Sequence, residues 1–336
     1  MLVNRRLFRP LQMGLGLVLA VIVLAGAYSN NVNAEAANTL KVTPVRSDIE
    51  IKPGASQTVK VTVTNLTDKP IVVRPIENDF VAGDENGTPA LILNEDQYAP
   101  THSLKRFLTP LADVRIPAKN SKTIEVGVTV PSTAQAGGYF GAIRFAPASA
   151  DTGGQVNLSA SVASLILLTV PGDLVQQLSL TSFDIQQGGK SGTDFRTPND
   201  LQLAVRLENK GNIQAGPFGK ISVKQGDKVV YETDFNNANP KDMVLPDSAR
   251  KWTVPLKNIG DFGHYTVSAT FTYGTKNQTI DVSKSFWVIP QWMIITAIIA
   301  AVVLLVAIVL VVWLIVRRNS SSGRRRKMRP SGHRLR

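Results

Sequence analysis

Short runs of alternating apolar and polar residues dominate the chain between residues 40 and 288. In Thr58–Asn65 three valines alternate with lysine and threonine, which places one face of the run against a core and the other in solvent. Thr123–Val130 and Leu201–Asn209 repeat this pattern. Clusters of Gly, Pro, Asn and Asp separate the runs, as turns separate strands. The pattern predicts an all-β fold built from β-sandwiches.

Further strands are predicted in both halves of the chain. They are Tyr139–Phe145, Val162–Val170, Leu178–Ile185, a hairpin over Lys220–Thr233, and a closing hairpin formed by His264–Tyr273 and Thr279–Val288. The segment Gln186–Asp200 is rich in Gly, Lys, Ser and Asp and is predicted as a loop. Pro171-Gly172-Asp173 interrupts the strand pattern. We therefore predict a first sandwich domain over residues 35–174 and a second over residues 175–289.

An internal repeat relates the two halves. The alternating run that ends at Asn65 matches the run that ends at Asn209, and the sequence VTV before Pro131 matches WTV before Pro255. The two intervals differ, at 66 and 46 residues. The repeat therefore indicates a shared architecture and not a strict tandem duplication.

An uncharged apolar run, Met293–Val316, follows the last predicted strand. Its 24 residues span roughly 36 Å as a helix, enough for a hydrocarbon core of about 30 Å. Trp292 precedes the run, and nine basic residues with no acid follow it. Basic flanks stay in the cytoplasm. We therefore predict a transmembrane helix over residues 290–316, a basic cytoplasmic tail over residues 317–336 and an extracellular ectodomain.

The first 34 residues have the pattern of a secretory signal peptide. Three arginines precede an apolar run of about 15 residues, and a polar stretch ends at Val32-Asn33-Ala34. Cleavage after Ala34 is predicted because signal peptidase accepts small or aliphatic residues at these positions. An uncleaved first anchor is the alternative.

Most of the net charge of +12 lies outside the predicted ectodomain. Without the three basic residues near the N-terminus and the nine in the tail, 25 of the 37 basic residues remain against 25 acidic ones. A neutral ectodomain argues against nucleic acid as a partner, since that would need a basic face. The chain has no cysteine, which excludes disulfides, zinc–thiolate sites and a cysteine nucleophile.

No residue pattern indicates catalysis or a cofactor. None of the three histidines, His102, His264 and His333, has a second histidine or an acidic cluster at metal-ligand spacing, and no G-x-S-x-G motif occurs. Gly189-Lys190-Ser191 lacks the upstream glycine of a phosphate-binding loop. We expect a non-enzymatic protein with no cofactor, metal or small-molecule substrate.

Calcium is the one ion that the sequence leaves open. Asp79, Asp84 and Glu85 carry carboxylates near Asn86-Gly87, and calcium prefers oxygen ligands. Their spacing differs from that of an EF-hand, however, and Asn-Gly is a strong hairpin turn. We therefore favour a turn at this place.

Residues in both halves resemble a known family. The first half reads Arg115-Ile116-Pro117 and then TIEVGVTVPSTAQAGGYFGAIRF, an alternating strand that ends at a Val-Pro pair and is followed by a Gly-rich strand. The second half reads LENKGNIQAGPFGKISVKQGDKVVY, GHYTVSATFTYG and KSFWV before the apolar run. In this order they resemble the WxL-interacting proteins of bacterial surfaces. The resemblance implies two immunoglobulin-like domains, an adhesive or scaffold role, and contact with the cell wall or another surface protein.

We accordingly expect a single-pass protein of the cell membrane whose ectodomain binds another surface protein or a cell-wall polymer. The alternative is a membrane-tethered, chaperone-like module that binds a strand of secreted or pilus proteins at a sheet edge.

Tyr139, Phe140, Gly141 and Phe145 are the predicted binding residues. Their strand is aromatic at both ends, and its small central residues would let the backbone of a partner approach. If the strand lies at a sheet edge, its unpaired N–H and C=O groups can pair with a partner strand. The alternative is a central strand whose large side chains form core. A proline at Gly141 distinguishes the two, because proline is tolerated chiefly at edges.

Overall fold

The structure, a computed structural model, describes residues 39–148 and 161–322. Its strands form four sheets, two from residues 40–170 and two from residues 178–288, and the halves share no strand. One long helix, α1 (Gln291–Ser322), follows. The predicted all-β class, with β-sandwiches and one C-terminal apolar helix, is confirmed. The predicted signal peptide and the tail beyond Ser322 lie outside the described residues.

The first sandwich packs a small sheet against a larger one. The small sheet has the antiparallel order β1 (Leu40–Thr43), β3 (Ser56–Asn65), β7 (Ser121–Thr129). The larger sheet has the order β2 (Arg46–Glu50), β9 (Val162–Val170), β8 (Gly137–Pro147), β4 (Ile71–Ala82), β5 (Pro89–Leu91), and β6 (Val114–Ile116) also pairs with β4. Only β2 runs parallel to its neighbour, β9. Val61, Val126, Phe145 and Leu168 meet in the core between the sheets, so the alternating faces predicted for β3 and β7 are confirmed.

The second sandwich has the same construction. One sheet has the order β11 (Lys190–Ser191), β10 (Leu178–Gln187), β13 (Leu201–Asn209), β16 (Ser248–Pro255). The other has the order β12 (Asp194–Phe195), β18 (Gln278–Val288), β17 (Gly263–Tyr273), β14 (Phe218–Gln225), β15 (Lys228–Phe235). The core includes Leu203, Val205, Phe271 and Phe286, and aromatic rings dominate it more than in the first sandwich.

The predicted loop over Gln186–Asp200 contains β11, β12 and the end of β10, so this prediction is wrong in part. β12 pairs in parallel with the end of β18, with Asp194 opposite Trp287 and Phe195 opposite Val288. The ring of Phe195 is buried against Phe286 at a centroid distance of 5.9 Å. A two-residue strand is too short to show alternation, and its partner lies some 90 residues away in the sequence. The local pattern of apolar and polar residues therefore cannot reveal β12.

Two buried asparagines give the internal repeat a structural basis. At the end of β3, Asn65 accepts a hydrogen bond from the amide of Thr67 (2.9 Å) and donates to the carbonyl of Lys69 (2.8 Å). At the end of β13, Asn209 accepts from the amide of Gly211 (2.9 Å) and donates to the carbonyl of Ile213 (2.8 Å). Both side chains are fully buried. The same side chain therefore folds the same turn after the equivalent strand of each sandwich.

Backbone contacts join the two sandwiches at the start of β8. The amide of Gly138 donates to the carbonyl of Asn212 at 2.8 Å. A Cβ atom on Gly137 would lie 2.9 Å from the same oxygen, and the φ of Gly137 is +150°, which favours glycine. The side chain of Gln214 donates to Thr169 Oγ1 at 3.2 Å. The close approach of the two backbones at this place therefore depends on the two glycines.

A hairpin between β4 and β5 makes the second contact of the junction. The guanidinium of Arg206 donates to the Glu85 carboxylate from Nε (3.0 Å) and Nη2 (2.7 Å). The carbonyl of Glu85 accepts from the amide of Lys251 at 2.6 Å. Beside this hairpin Phe80, Phe140 and Leu167 of the first sandwich pack against Met243 and Leu245 of the second. Apolar packing and an ion pair thus hold the two sandwiches together.

Helix α1 leaves the second sandwich almost without a linker. β18 ends at Val288 and the helix begins at Gln291. Its apolar segment Gln291–Arg317 is long enough to cross a membrane, and its side chains have no protein core to pack into. The predicted apolar helix over residues 290–316 is therefore present with nearly the same bounds.

We expect replacement of Asn209 by alanine to destabilise the second sandwich by roughly 3 kcal/mol, because several buried backbone groups lose their hydrogen-bond partner. Urea unfolding followed by tryptophan fluorescence measures this. All four tryptophans lie after residue 250, so the signal does not come from the first sandwich. N199A, at an exposed asparagine of the same sandwich, is the control. Equal midpoints for N209A and N199A would contradict the role of Asn209.

We expect replacement of Glu85 by glutamine to lower the thermal midpoint at neutral pH and not in acid. The hydrogen bond from Arg206 lowers the pKa of the Glu85 carboxyl. A carboxyl pKa that is lower in the folded chain stabilises the fold fully above the ordinary glutamate pKa, and this contribution disappears as the pH falls through the lower folded value. The melting curves of E85Q and of the wild type should therefore differ at pH 7 and converge as the pH falls to about 3.

The matched control for this experiment is E125Q, because Glu125 forms an exposed pair with Lys60 inside one sheet at 3.5 Å. Such pairs contribute little, and E125Q should match the wild-type midpoint at both pH values. A midpoint of E85Q that equals the wild type at pH 7, or that stays lower in acid, would contradict the prediction.

Candidate functional site

An open cleft of about 400 Å³ lies at the end of the first sandwich, beside the junction. Three segments of the first sandwich and one residue of the second surround it. The lining residues are Ala99, Pro100, Thr101, His102, Ser103, Arg106, Phe107, Gln135, Ala136, Gly137, Tyr139 and Asn212. Aromatic faces, amide groups and one guanidinium thus meet in a concave surface, which is the composition of a ligand-binding site.

Tyr139 lies at the centre of the aromatic part of the cleft. It is the third residue of β8, and its ring lies 4.9 Å from the ring of Phe107 and 6.4 Å from that of His102. Its hydroxyl donates to the carbonyl of Gln135 at 2.9 Å. Partial burial raises the pKa of the Tyr139 phenol, and the hydrogen bond to Gln135 restrains the ring.

His102 is fixed by β8 on the opposite wall. Its Nδ1 lies 2.6 Å from the carbonyl oxygen of Gly138, and because a carbonyl only accepts, Nδ1 carries a proton. In the neutral ring Nε2 is then an acceptor. The carbonyl of His102 accepts from the amide of Phe140 at 2.8 Å, and its backbone has a φ of +58°. The loop is therefore bound to the strand from both its side chain and its backbone.

Asp79 of β4 holds the loop that forms this wall. Its carboxylate accepts hydrogen bonds from the amide of Ala99 (2.9 Å), the hydroxyl of Ser103 (2.6 Å) and the amide of Lys105 (2.8 Å). The side chain is fully buried. A buried charge needs such a set of donors, and the three donors here fix the path of residues 99–105. Asp79 therefore determines the shape of the cleft without lining it.

Arg106 supplies a positive charge at the rim. Its side chain is exposed, and its guanidinium lies 4.6 Å from the centre of the Tyr98 ring. Stacking on an aromatic face holds the guanidinium in place and leaves its edge free for hydrogen bonds. The rim therefore offers planar N–H donors that suit a carboxylate or phosphate.

The second sandwich closes the cleft through Asn212. Its side chain donates to the carbonyls of Ala136 (3.2 Å) and Asp173 (3.1 Å) and accepts from the amide of Val175 (2.8 Å). These bonds join the loop before β8, the connection between the sandwiches and the turn that Asn209 folds. The cleft is therefore complete only when the two sandwiches are docked.

The four predicted binding residues lie in different environments. Tyr139 lines the cleft, whereas Phe140 is buried in the junction and Phe145 in the core. Gly141 is closed off, since a Cβ atom there would lie 3.0 Å from the Cβ of Leu104. The edge hypothesis is wrong, because β8 pairs with β4 on one side and β9 on the other. The alternative of a central strand is correct.

Sequence reasoning did not find the other residues of the cleft. These are His102, Arg106, Phe107, Gln135 and Asn212. They come from four separate stretches of sequence, and no spacing rule joins them. Asp79 is considered in the sequence only as a possible calcium ligand, and its hydrogen bonds to the loop over residues 99–105 are not predictable from the sequence.

The three carboxylates considered for calcium form separate contacts and do not share a site. Asp79 is buried in the loop contact, and Glu85 pairs with Arg206. Asp84 accepts from the amides of Asn86 (2.9 Å) and Thr88 (3.0 Å), which folds the predicted hairpin turn and lowers the pKa of the Asp84 carboxyl. Within the described residues no group of three or more His, Cys, Asp or Glu side chains is arranged to hold a metal.

We expect replacement of Asp79 by asparagine to loosen residues 99–105. The NH₂ group of the asparagine would face an N–H or O–H group of this loop, and two donors cannot form a hydrogen bond with each other. Hydrogen exchange at the amides of Ala99 and Lys105 should accelerate at least about tenfold, while exchange in β7 stays the same. D113N, at a partly exposed carboxylate of the same sandwich, is the control. Unchanged protection of both amides in D79N would show that the loop is held otherwise.

Comparison with known proteins gives one family and a group of distant structures. Residues 47–147 match the family model described as WxL Interacting Protein, peptidoglycan binding domain. No curated protein matches the chain. Among solved structures, the class 5 fimbriae chaperone CfaA has 16% identity (TM-score 0.36, 74% of this chain, 98% of that chain). The CupB2 chaperone of Pseudomonas aeruginosa has 11% identity and a TM-score of 0.32, and the match covers 73% of this chain and 99% of that chain. The E. coli chaperone DraB has 16% identity and a TM-score of 0.31, and the match covers 74% of this chain and 96% of that chain.

The structural similarities are too distant to carry an argument. The family match is of another kind, because it covers β2 to β8 and every residue of the cleft except Asn212. The resemblance seen in the sequence is thereby confirmed for residues 47–147, which match the peptidoglycan binding domain of the WxL-interacting proteins.

Proposed function

We propose that this chain is a non-enzymatic, membrane-anchored surface protein that binds peptidoglycan in the cleft around Tyr139. The observation that carries the proposal is the match of residues 47–147 to a peptidoglycan binding domain. The cleft is the concave surface of that domain in which aromatic and polar groups converge. A binding role for Phe140, Gly141 and Phe145 is not part of the proposal, because these residues are buried.

The chemistry of the cleft suits a glycan with acidic peptide stems. The exposed parts of the Tyr139 and Phe107 rings offer apolar faces to the C–H side of a sugar. Gln135 and the free nitrogen of His102 lie around these rings and can bond sugar hydroxyl and acetamido groups. Arg106 at the rim suits the carboxylates of the peptide stem.

The anchor is α1. At about 1.5 Å per residue, its 27 apolar-segment residues span about 40 Å, more than the hydrocarbon core needs. Trp292 lies in its first turn, and Arg317 and Arg318 lie at the end of the segment. Basic ends favour the cytoplasmic side, and this supports a topology in which both sandwiches lie outside the membrane, where the wall polymer is.

The two other expected partners remain proposals of lesser support. A second surface protein is compatible with the free sheet edges of the second sandwich. The chaperone-like alternative loses its candidate strand, since β8 has a neighbour on each side.

Peptidoglycan binding should weaken by about tenfold when Tyr139 is replaced by alanine, because a central aromatic side chain carries much of the energy of such a site. R106A should weaken binding less and reduce its dependence on salt. Co-sedimentation of the protein with purified peptidoglycan, at increasing polymer concentration, measures both.

The control variant is F218A. Phe218 is 40% exposed on the second sandwich, outside the family match. It should bind as the wild type does. If Y139A also binds as the wild type while its far-ultraviolet spectrum is unchanged, peptidoglycan binds elsewhere and the proposed site is wrong.

A further inference from the structure

One end of the second sandwich is held close to the start of α1. The two residues between β18 and the helix are themselves bound to the sandwich: the amide of Ile289 donates to the carbonyl of Phe195 at 2.8 Å, and Pro290 is buried. The amide of Met293 in the first helical turn donates to the carbonyl of Pro290 at 3.1 Å. Val288 and Gln291 are three residues apart, so at most about 11 Å of chain separates them.

The strand register identifies the loops at this end. Gly263 lies opposite Val288, so β17 begins where β18 ends. Lys224 lies opposite Thr266, which brings the hairpin between β14 and β15 to the same end. The side chain of Gln225 in that hairpin donates to the carbonyl of Phe262 at 3.4 Å. The hairpin and the loop before β17 thus form one surface beside the helix.

Large aromatic side chains on this surface are exposed. Phe262 is 50%, Trp287 43% and Trp292 65% exposed. Trp287 projects from the outer face of its sheet, where its ring lies 4.7 Å from the ring of His264. Exposed aromatic side chains gathered at one end of a sandwich mark an interaction surface, and tryptophan favours the interface between lipid and water.

The charges at this end have both signs. Lys224, Lys228 and Lys257 are exposed there, and so are Asp227 and Asp261. Attraction to anionic lipid is therefore not the main term, and any contact with a membrane must come from the aromatic residues.

We propose that the aromatic patch of Phe262, His264 and Trp287 rests in the headgroup region of the bilayer that α1 crosses, with Trp292 at the same level. The inference depends on the proposed membrane anchor and adds to it a surface of the ectodomain. Docking at two places, through the helix and through the patch, fixes the angle at which the ectodomain leaves the membrane. A helix on a flexible linker would leave that angle free.

The absence of cysteine from the chain makes single-cysteine labelling free of background. We would place an environment-sensitive fluorophore at K228C, in the hairpin at the same end as the patch, at K276C or at A307C in the full chain, reconstituted in phosphatidylcholine vesicles. Spin-labelled headgroup lipid serves as quencher for the first two positions, and lipid labelled deep in the acyl chain serves for the third. Lys276 lies in the exposed turn at the other end of β17, about 35 Å away along the strand.

We expect the label at K228C to be quenched at least about twofold more than the label at K276C. Equal quenching at the two positions, with A307C quenched, would overturn the proposal and leave the anchor intact. An unquenched A307C would show that α1 does not enter the bilayer, and the anchor would then fail together with the patch.

A second measurement tests whether the aromatic residues cause the docking. A label at K228C, in the hairpin at the same end, should be quenched in the wild-type background and should lose this quenching in the double variant F262S and W287S. Far-ultraviolet circular dichroism confirms that the variant keeps its β-structure. Quenching at K228C that persists in the double variant would overturn the role of the patch, since proximity to the helix alone would then explain it.

Discussion

The hydrogen bond from the amide of Gly138 to the carbonyl of Asn212 is the contact on which the arrangement of the two sandwiches depends. It forms only because Gly137 and Gly138 let the second sandwich approach β8 without a side chain between them. The same approach brings Asn212 to the cleft and the β4–β5 hairpin to Arg206. A larger side chain at Gly137 would meet the carbonyl oxygen of Asn212, so it would separate the sandwiches and remove one wall of the candidate site at the same time.

Buried polar side chains, not disulfides, fix the loops around this contact. Asn209 folds the turn that carries Asn212, Asn65 folds the equivalent turn of the first sandwich, and Asp79 holds the wall of the cleft. Each satisfies several backbone groups that would otherwise be buried without partners, so each acts as a local crosslink. In a chain without cysteine this hydrogen bonding replaces the covalent constraint that many extracytoplasmic domains use.

Strands with one apolar face and one polar face are the part of the fold that can be predicted from the sequence. β9 and β13 were predicted with their observed bounds, and β3 and β7 within two residues. β4 was not found, because Pro75, Asn78 and Asp79 interrupt its pattern, although Asn78 and Asp79 are fully buried. Tyr139 was found in the candidate site because it is aromatic. The remaining cleft residues meet only through strand pairing and the junction, which no local pattern records.

The short connection between β18 and α1 has a mechanical consequence. β18 runs toward the helix and pairs with β17 over eleven residues, with hydrogen bonds that lie across the strand direction. Tension between the sandwiches and α1 acts along β18, so it loads all these bonds together in shear and does not peel them apart one by one. With no slack between strand and helix to absorb the pull, the second sandwich itself is the tether.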